Sequence, residues 1–78
     1  MNNTNKIKSI LLSNLNLEKD VIWDMINYRD YGWDSIVHMQ LISEFEDEFN
    51  IMFNTDDIIE MNSFNKIIEI LKKYDVEF

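Results

Sequence analysis

The sequence predicts an all-α fold: a small four-helix bundle with three longer helices, one short helix and a long first loop. Three observations carry this expectation. Apolar residues recur at helical spacing along most of the chain. Pro is absent and Gly occurs once, at Gly32, too few turn residues for a β-rich domain of this size. Hydrophobic residues fill 46% of the 78 positions, enough for a buried core and too many for a disordered chain. Residues 1–78 are read as a single domain with no room for a separate catalytic one.

The first helix is predicted over Asn3 to Leu15, with Ile7, Ile10, Leu11 and Asn14 or Leu15 on one face and Lys6, Lys8 and Ser13 opposite. A connection over residues 16–34 follows. It is rich in apolar side chains (Val21, Ile22, Trp23, Met25, Ile26, Tyr28), so it is expected to fold over the core and bury them. The second helix, Ser35 to Asn50, has the clearest pattern. On a helical wheel His38, Leu41, Ile42 and Phe49 fall within about 60° of Phe45. Ile36 lands nearly opposite that core face and Met39 well off it, so both are expected in solvent near Ser35. The short third helix is predicted over Thr55 to Met61, capped by Asn54 or Thr55, with Asp56 and Asp57 in its first turn. The fourth, Ser63 to Tyr74, carries Phe64, Ile67, Ile68, Leu71 and Tyr74 on one face. Asn62 or Ser63 caps its start, and Lys72 and Lys73 occupy its last turn.

Net charge is −8. From Asp30 to Asn65 there are nine acids and no Lys or Arg. This anionic middle argues against nucleic acid and anionic membranes as partners and favours basic protein surfaces. On this reading the acids lack local counter-charge. The chain has no Cys, which excludes disulfides and Cys-based zinc sites. No apolar run reaches the ~18–20 residues needed to span a bilayer, and the start Met-Asn-Asn-Thr-Asn-Lys lacks a signal-peptide core. The expectation is a cytoplasmic protein.

The segment Asp30-Tyr31-Gly32-Trp33-Asp34-Ser35-Ile36 places one serine where the loop becomes the second helix, directly after Asp34, which can cap that helix. There a hydroxyl stands beside unpaired backbone N–H groups, a setting that favours phosphate. A serine nucleophile needs an oriented base and an oxyanion hole. His38 is the only histidine, and the wheel turns it toward the core with no acid placed to orient it. Ser35 therefore reads as an attachment point rather than a catalytic residue. A calcium loop with Gly32 at its sixth position would begin at Asn27. It would put Arg29, Tyr31 and His38 at positions three, five and twelve, so no calcium site is expected. The group Glu44, Glu46, Asp47 and Glu48 reads as a solvated face, and no metal site is assigned.

The run Asp30-x-Gly32-x-Asp34-Ser35-Ile36, followed by Leu41 and then Glu46-Asp47-Glu48-Phe49, resembles the acyl carrier protein family. Length, acidity, the long first loop and the short third helix agree, and the resemblance covers essentially the whole chain. It implies that Ser35 carries a covalent 4′-phosphopantetheine delivered from coenzyme A by a phosphopantetheinyl transferase. An acyl or aminoacyl group would ride on that arm as a thioester, and the chain itself would catalyse nothing. Partner recognition is expected at Asp34, Ile36, Met39, Gln40, Glu44 and Asp47. Val37 and Gln40 stand where typical fatty-acid carriers have acids. The elements Gly32 to Ser35, His38 and Met39 look more like stand-alone carriers of specialised pathways. The implied partners are an adenylating acyl or aminoacyl ligase and an acyltransferase or synthase, met by a monomer. The competing expectation is an acidic helical interaction module, an adaptor or inhibitor without prosthetic group, built on the same acids and on Ile36 and Met39.

Overall fold

Side chains at the starts of the last three α-helices fix where they begin in the computed structural model, which describes residues 3–78. Met1 and Asn2 of the expected domain lie outside the described residues. Four α-helices follow one another: α1 over Asn3–Asn14, α2 over Ser35–Phe49, α3 over Thr55–Glu60 and α4 over Phe64–Lys73. The three expected caps are present. Asp34 Oδ1 accepts from Val37 N–H at 2.9 Å, Asn54 Oδ1 from Asp57 N–H at 3.0 Å, and Ser63 Oγ from Lys66 N–H at 3.1 Å. Each cap satisfies a backbone donor that the helix leaves unpaired. At its end α2 stops because Asn50 turns left-handed (φ 54°), a conformation Asn tolerates better than most residues. The observed helices differ from the expected ones by single residues at their ends, where caps have non-helical dihedrals.

The core joins Ile7 and Leu11 of α1, and Leu15 just beyond it, to Leu41, Ile42 and Phe45 of α2 and Phe64, Ile67, Ile70 and Leu71 of α4. Ile70 is buried, whereas the sequence pattern chose Ile68, which only packs against the edge. No helix among the described residues is long and apolar enough to cross a membrane.

The first loop departs from expectation. It contains a single 3-10 turn, Trp23–Met25. Trp23 packs on Phe64 with ring centroids 5.3 Å apart, and Ile26 is fully buried. Ile22 and Met25, expected to be buried, are instead 67% and 63% exposed, because a tight turn cannot aim all of its side chains inward. The loop is pinned at its return by an isolated β-bridge between Asn27 and Ser63. Tyr28 N–H donates to Asn62 O at 2.8 Å and Phe64 N–H to Ile26 O at 3.2 Å.

Gly32 sits at φ +80°, and a Cβ there would stand 3.0 Å from Asn16 Nδ2. The dihedral favours glycine, and a Cβ would press on the Asn16 side chain. Gly32→Ala is expected to cost about 1–2 kcal/mol, measured as a lower urea midpoint with an unchanged m-value.

Candidate functional site

Ser35 is the first residue of α2 and its side chain is exposed. The neighbouring Asp34 spends its carboxylate on Val37 N–H, and its carbonyl takes the first helical hydrogen bond from His38 N–H at 2.8 Å. The N–H groups of Ser35 and Ile36 lie in the first turn, which has no carbonyl before it to accept them. They set the positive end of the helix dipole beside the serine hydroxyl. An ester-linked phosphate on that hydroxyl fits this setting: the oxygen is accessible, and the adjacent backbone donors favour negative charge.

The segment leading into the helix is held rigidly. Trp33 is 1% exposed, and its indole Nε1–H donates to His38 Nδ1 at 3.0 Å. Indole nitrogen is only a donor, so Nδ1 must accept and the imidazole proton sits on Nε2. That proton is donated to Ile58 O on α3 at 2.7 Å. The Trp33 and His38 rings stack with an interplanar angle of 27°, and Tyr28 meets both edge-on. Both nitrogens of the single histidine are thus committed, to the loop on one side and to α3 on the other. Neither is left to take a proton from Ser35, so the geometry lacks a serine–histidine pair.

A cleft of about 370 Å³ opens beside the serine, lined by Tyr28, Ser35, His38, Met39, Ile58 and Ile59. Its far wall is α3, a helix of six residues that holds its place through polar contacts on two sides. His38 grips it from α2. The end of α4 grips it through Asp57 of α3: Lys73 Nζ stands 2.6 Å from Asp57 Oδ1, and Tyr74 Oη donates to Oδ2 at 2.6 Å. Tyr74 Oη also accepts from Asn54 N–H at 3.0 Å. Asp57 is only 3% exposed. The Lys73 ammonium, followed by the Tyr74 hydroxyl, holds its carboxyl below the usual carboxylate range. The same hydrogen bonds raise Lys73 and Tyr74 above their ordinary values.

This corrects the expected run of acids without local counter-charge. Asp57 is paired with Lys73, and Glu48 lies 3.6 Å from Lys6. Glu46 accepts from Phe53 N–H at 3.0 Å, and Glu44 from Asn14 Nδ2 at 2.7 Å. Several acids therefore act as internal ties of the fold.

The expected partner-facing residues divide into two groups. Ile36 is 72% and Met39 54% exposed, as the wheel predicts, and both stand within the first turns of α2 with Asp34 and Ser35. Gln40 is exposed beside them. Glu44 and Asp47 line a different cleft, with Ile10 and Glu48, and Glu44 is half-buried against α1. Sequence reasoning missed Trp33 and Asp57. Trp33 lies within the serine motif, five residues before His38, but nothing local pairs the two. Asp57 and Tyr74 meet only through the packing of α3 on α4.

Residues 5–71 match the family model described as a phosphopantetheine attachment site. The chain is 37% identical over 70 residues to an acyl carrier protein of Karelsulcia muelleri (strain GWSS), covering 88% of this chain and 84% of the relative. It is 34% identical over 70 residues to an acyl carrier protein of Buchnera aphidicola subsp. Baizongia pistaciae (strain Bp), covering 88% and 90%. No solved structure gives a significant match.

Proposed function

Because the chain belongs to the acyl carrier protein family, whose domain is the site of covalent 4′-phosphopantetheine attachment, we propose that Ser35 is the attachment residue and that the chain acts purely as a carrier. When bound, the prosthetic arm supplies the thiol that holds the cargo as a thioester. Every other contribution is the chain's own. Ser35 Oγ is the anchoring oxygen, held out at the start of α2 where a phosphate meets unpaired N–H groups. Asp34 ends the loop and caps the helix through Val37 N–H, which keeps the serine at its first position. The Trp33–His38–Ile58 chain of hydrogen bonds ties loop, α2 and α3 together beneath it.

The single observation that carries this reading is an exposed serine at a capped helix start that opens directly onto an apolar cleft. The cleft supports an acyl or aminoacyl cargo whose first apolar atoms lie against Met39, Ile58 and Ile59. Val37 and Gln40, uncharged where typical fatty-acid carriers have acids, support a dedicated set of partners. That set would comprise a phosphopantetheinyl transferase, an adenylating acyl or aminoacyl ligase, and an acyltransferase or synthase. Ile36 and Met39 supply the apolar anchor and Asp34 and Asp47 the charge that steers a basic partner. The adaptor reading uses the same surface but gives no reason for the family match over residues 5–71.

Incubation with coenzyme A and a broad-specificity transferase is expected to add the mass of one phosphopantetheine, on the peptide containing Ser35. Unmodified protein after several transferases would overturn the reading. Ile36→Glu is expected to slow that modification about tenfold or more, with an unchanged helical circular-dichroism spectrum. An unaltered rate would remove Ile36 from the recognition face.

A further inference from the structure

A second cleft, of about 380 Å³, lies in the first loop and is lined by Glu18, Asp20, Val21, Ile22, Met25 and Tyr31. We propose that it is a docking seat for an apolar side chain flanked by Lys or Arg on a partner protein. Three observations converge on it. Ile22 and Met25 are the large side chains that the 3-10 turn leaves outside while Trp23 and Ile26 turn in. They are not scattered surface residues, because they share one concavity. Tyr31 is a bulky residue held left-handed at φ 57°, an uncommon and costly conformation for an aromatic. Asn16 N–H donating to Tyr31 O at 2.8 Å and Trp33 N–H donating to Asp30 O at 3.0 Å keep it there. The cleft wall is thus presented in a fixed shape before any partner arrives, which lowers the ordering cost of binding.

Charge selects the occupant. Two carboxylates, Glu18 and Asp20, line the cleft, and the adjacent residues Glu18 to Asp24 hold one cation, Lys19. A second copy of this chain brings another −8 and is repelled. An anionic bilayer is repelled for the same reason. The space suits a large anchoring side chain, at the small end of the ~300–1,000 Å³ range of binding clefts. The seat requires neither Ser35 nor the prosthetic arm, so it stands or falls separately from the attachment reading.

The test uses the full chain, isotope-labelled, and a synthetic ten-residue peptide with one central leucine flanked by two arginines on each side. Saturable amide shifts are expected over residues 21–25 and at Tyr31. A peptide with serine in place of the leucine should bind about tenfold more weakly, and one with glutamates in place of the arginines should not bind. The double variant Ile22→Ser with Met25→Ser should lose the shifts while keeping its helical spectrum, since both side chains are exposed. Four results would overturn the proposal. They are shifts confined to residues 44–48 and indifferent to the leucine, dimers forming with protein concentration alone, binding to neutral lipid vesicles in place of the peptide, or no shift at millimolar peptide.

Discussion

Ser35→Ala is expected to abolish attachment of the phosphopantetheine arm completely while leaving the fold intact. Alanine removes the only atom the reading assigns to the ester. The other serines are poorly placed to replace it. Ser9 lies in the middle of α1, Ser13 Oγ donates to Ser9 O, Ser63 Oγ caps α4, and Ser43 lies in the middle of α2, away from its positive end. The fold should tolerate the change because the cap of α2 is the Asp34 carboxylate, not the serine, and alanine is the strongest helix former. An exposed substitution of this kind stays within about 0.5 kcal/mol. Intact-protein mass spectrometry after incubation with coenzyme A and transferase reads the first effect, and thermal melting the second. A variant that still gains the mass would move the anchor elsewhere. A variant that fails to melt cooperatively would show that Ser35 is a structural residue.

The contrast between Asp34 and Asp57 shows what a sequence reveals here. Asp34 was legible as a cap because a cap is a local device: an acid, a helix start and an N–H three residues on. The same locality made Asn54 and Ser63 legible, and helical periodicity put Ile36 and Met39 in solvent and Phe45 in the core. Ser35 was legible through the same two signals. Asp57 looked like one more acid in a charged run. Its partners Lys73 and Tyr74 are 16 and 17 residues away, and only the packing of α3 against α4 brings them together. The first loop hid its arrangement for a related reason. Six apolar residues close together give no period, so nothing in the pattern told Ile26, which turns in, from Ile22 and Met25, which turn out. The Trp33–His38 hydrogen bond was hidden too, because the wheel could say that His38 faces inward but not what it meets there.

Asp57→Asn is expected to lower the melting temperature by several degrees near neutral pH and to loosen α3 selectively. Asparagine keeps the shape and can still accept one hydrogen bond, but it leaves the Lys73 ammonium without its counter-charge and weakens the hold on Tyr74. The effect has a defined pH window. The Asp57 carboxyl is held below its ordinary value, so folding gains from it above the unfolded carboxylate range, near pH 4, and that gain fades as pH falls through the lower folded value. Tyr74 and Lys73 are raised above their ordinary values near 10, so their share is present below that pH and fades as pH climbs through the higher folded values. The advantage of the wild type over Asp57→Asn should therefore be flat between about pH 5 and 9 and shrink on both sides. Lys73 is more than half exposed, so added salt should reduce the difference without removing it. Because α3 also hangs from His38 through Ile58 O, the variant should stay folded while amides of 55–60 exchange faster than those of α2. A stability difference that ignored pH, or exchange that rose equally in every helix, would mean that Asp57 is merely one of many surface acids and that the wall of the Ser35 cleft is held by apolar packing alone.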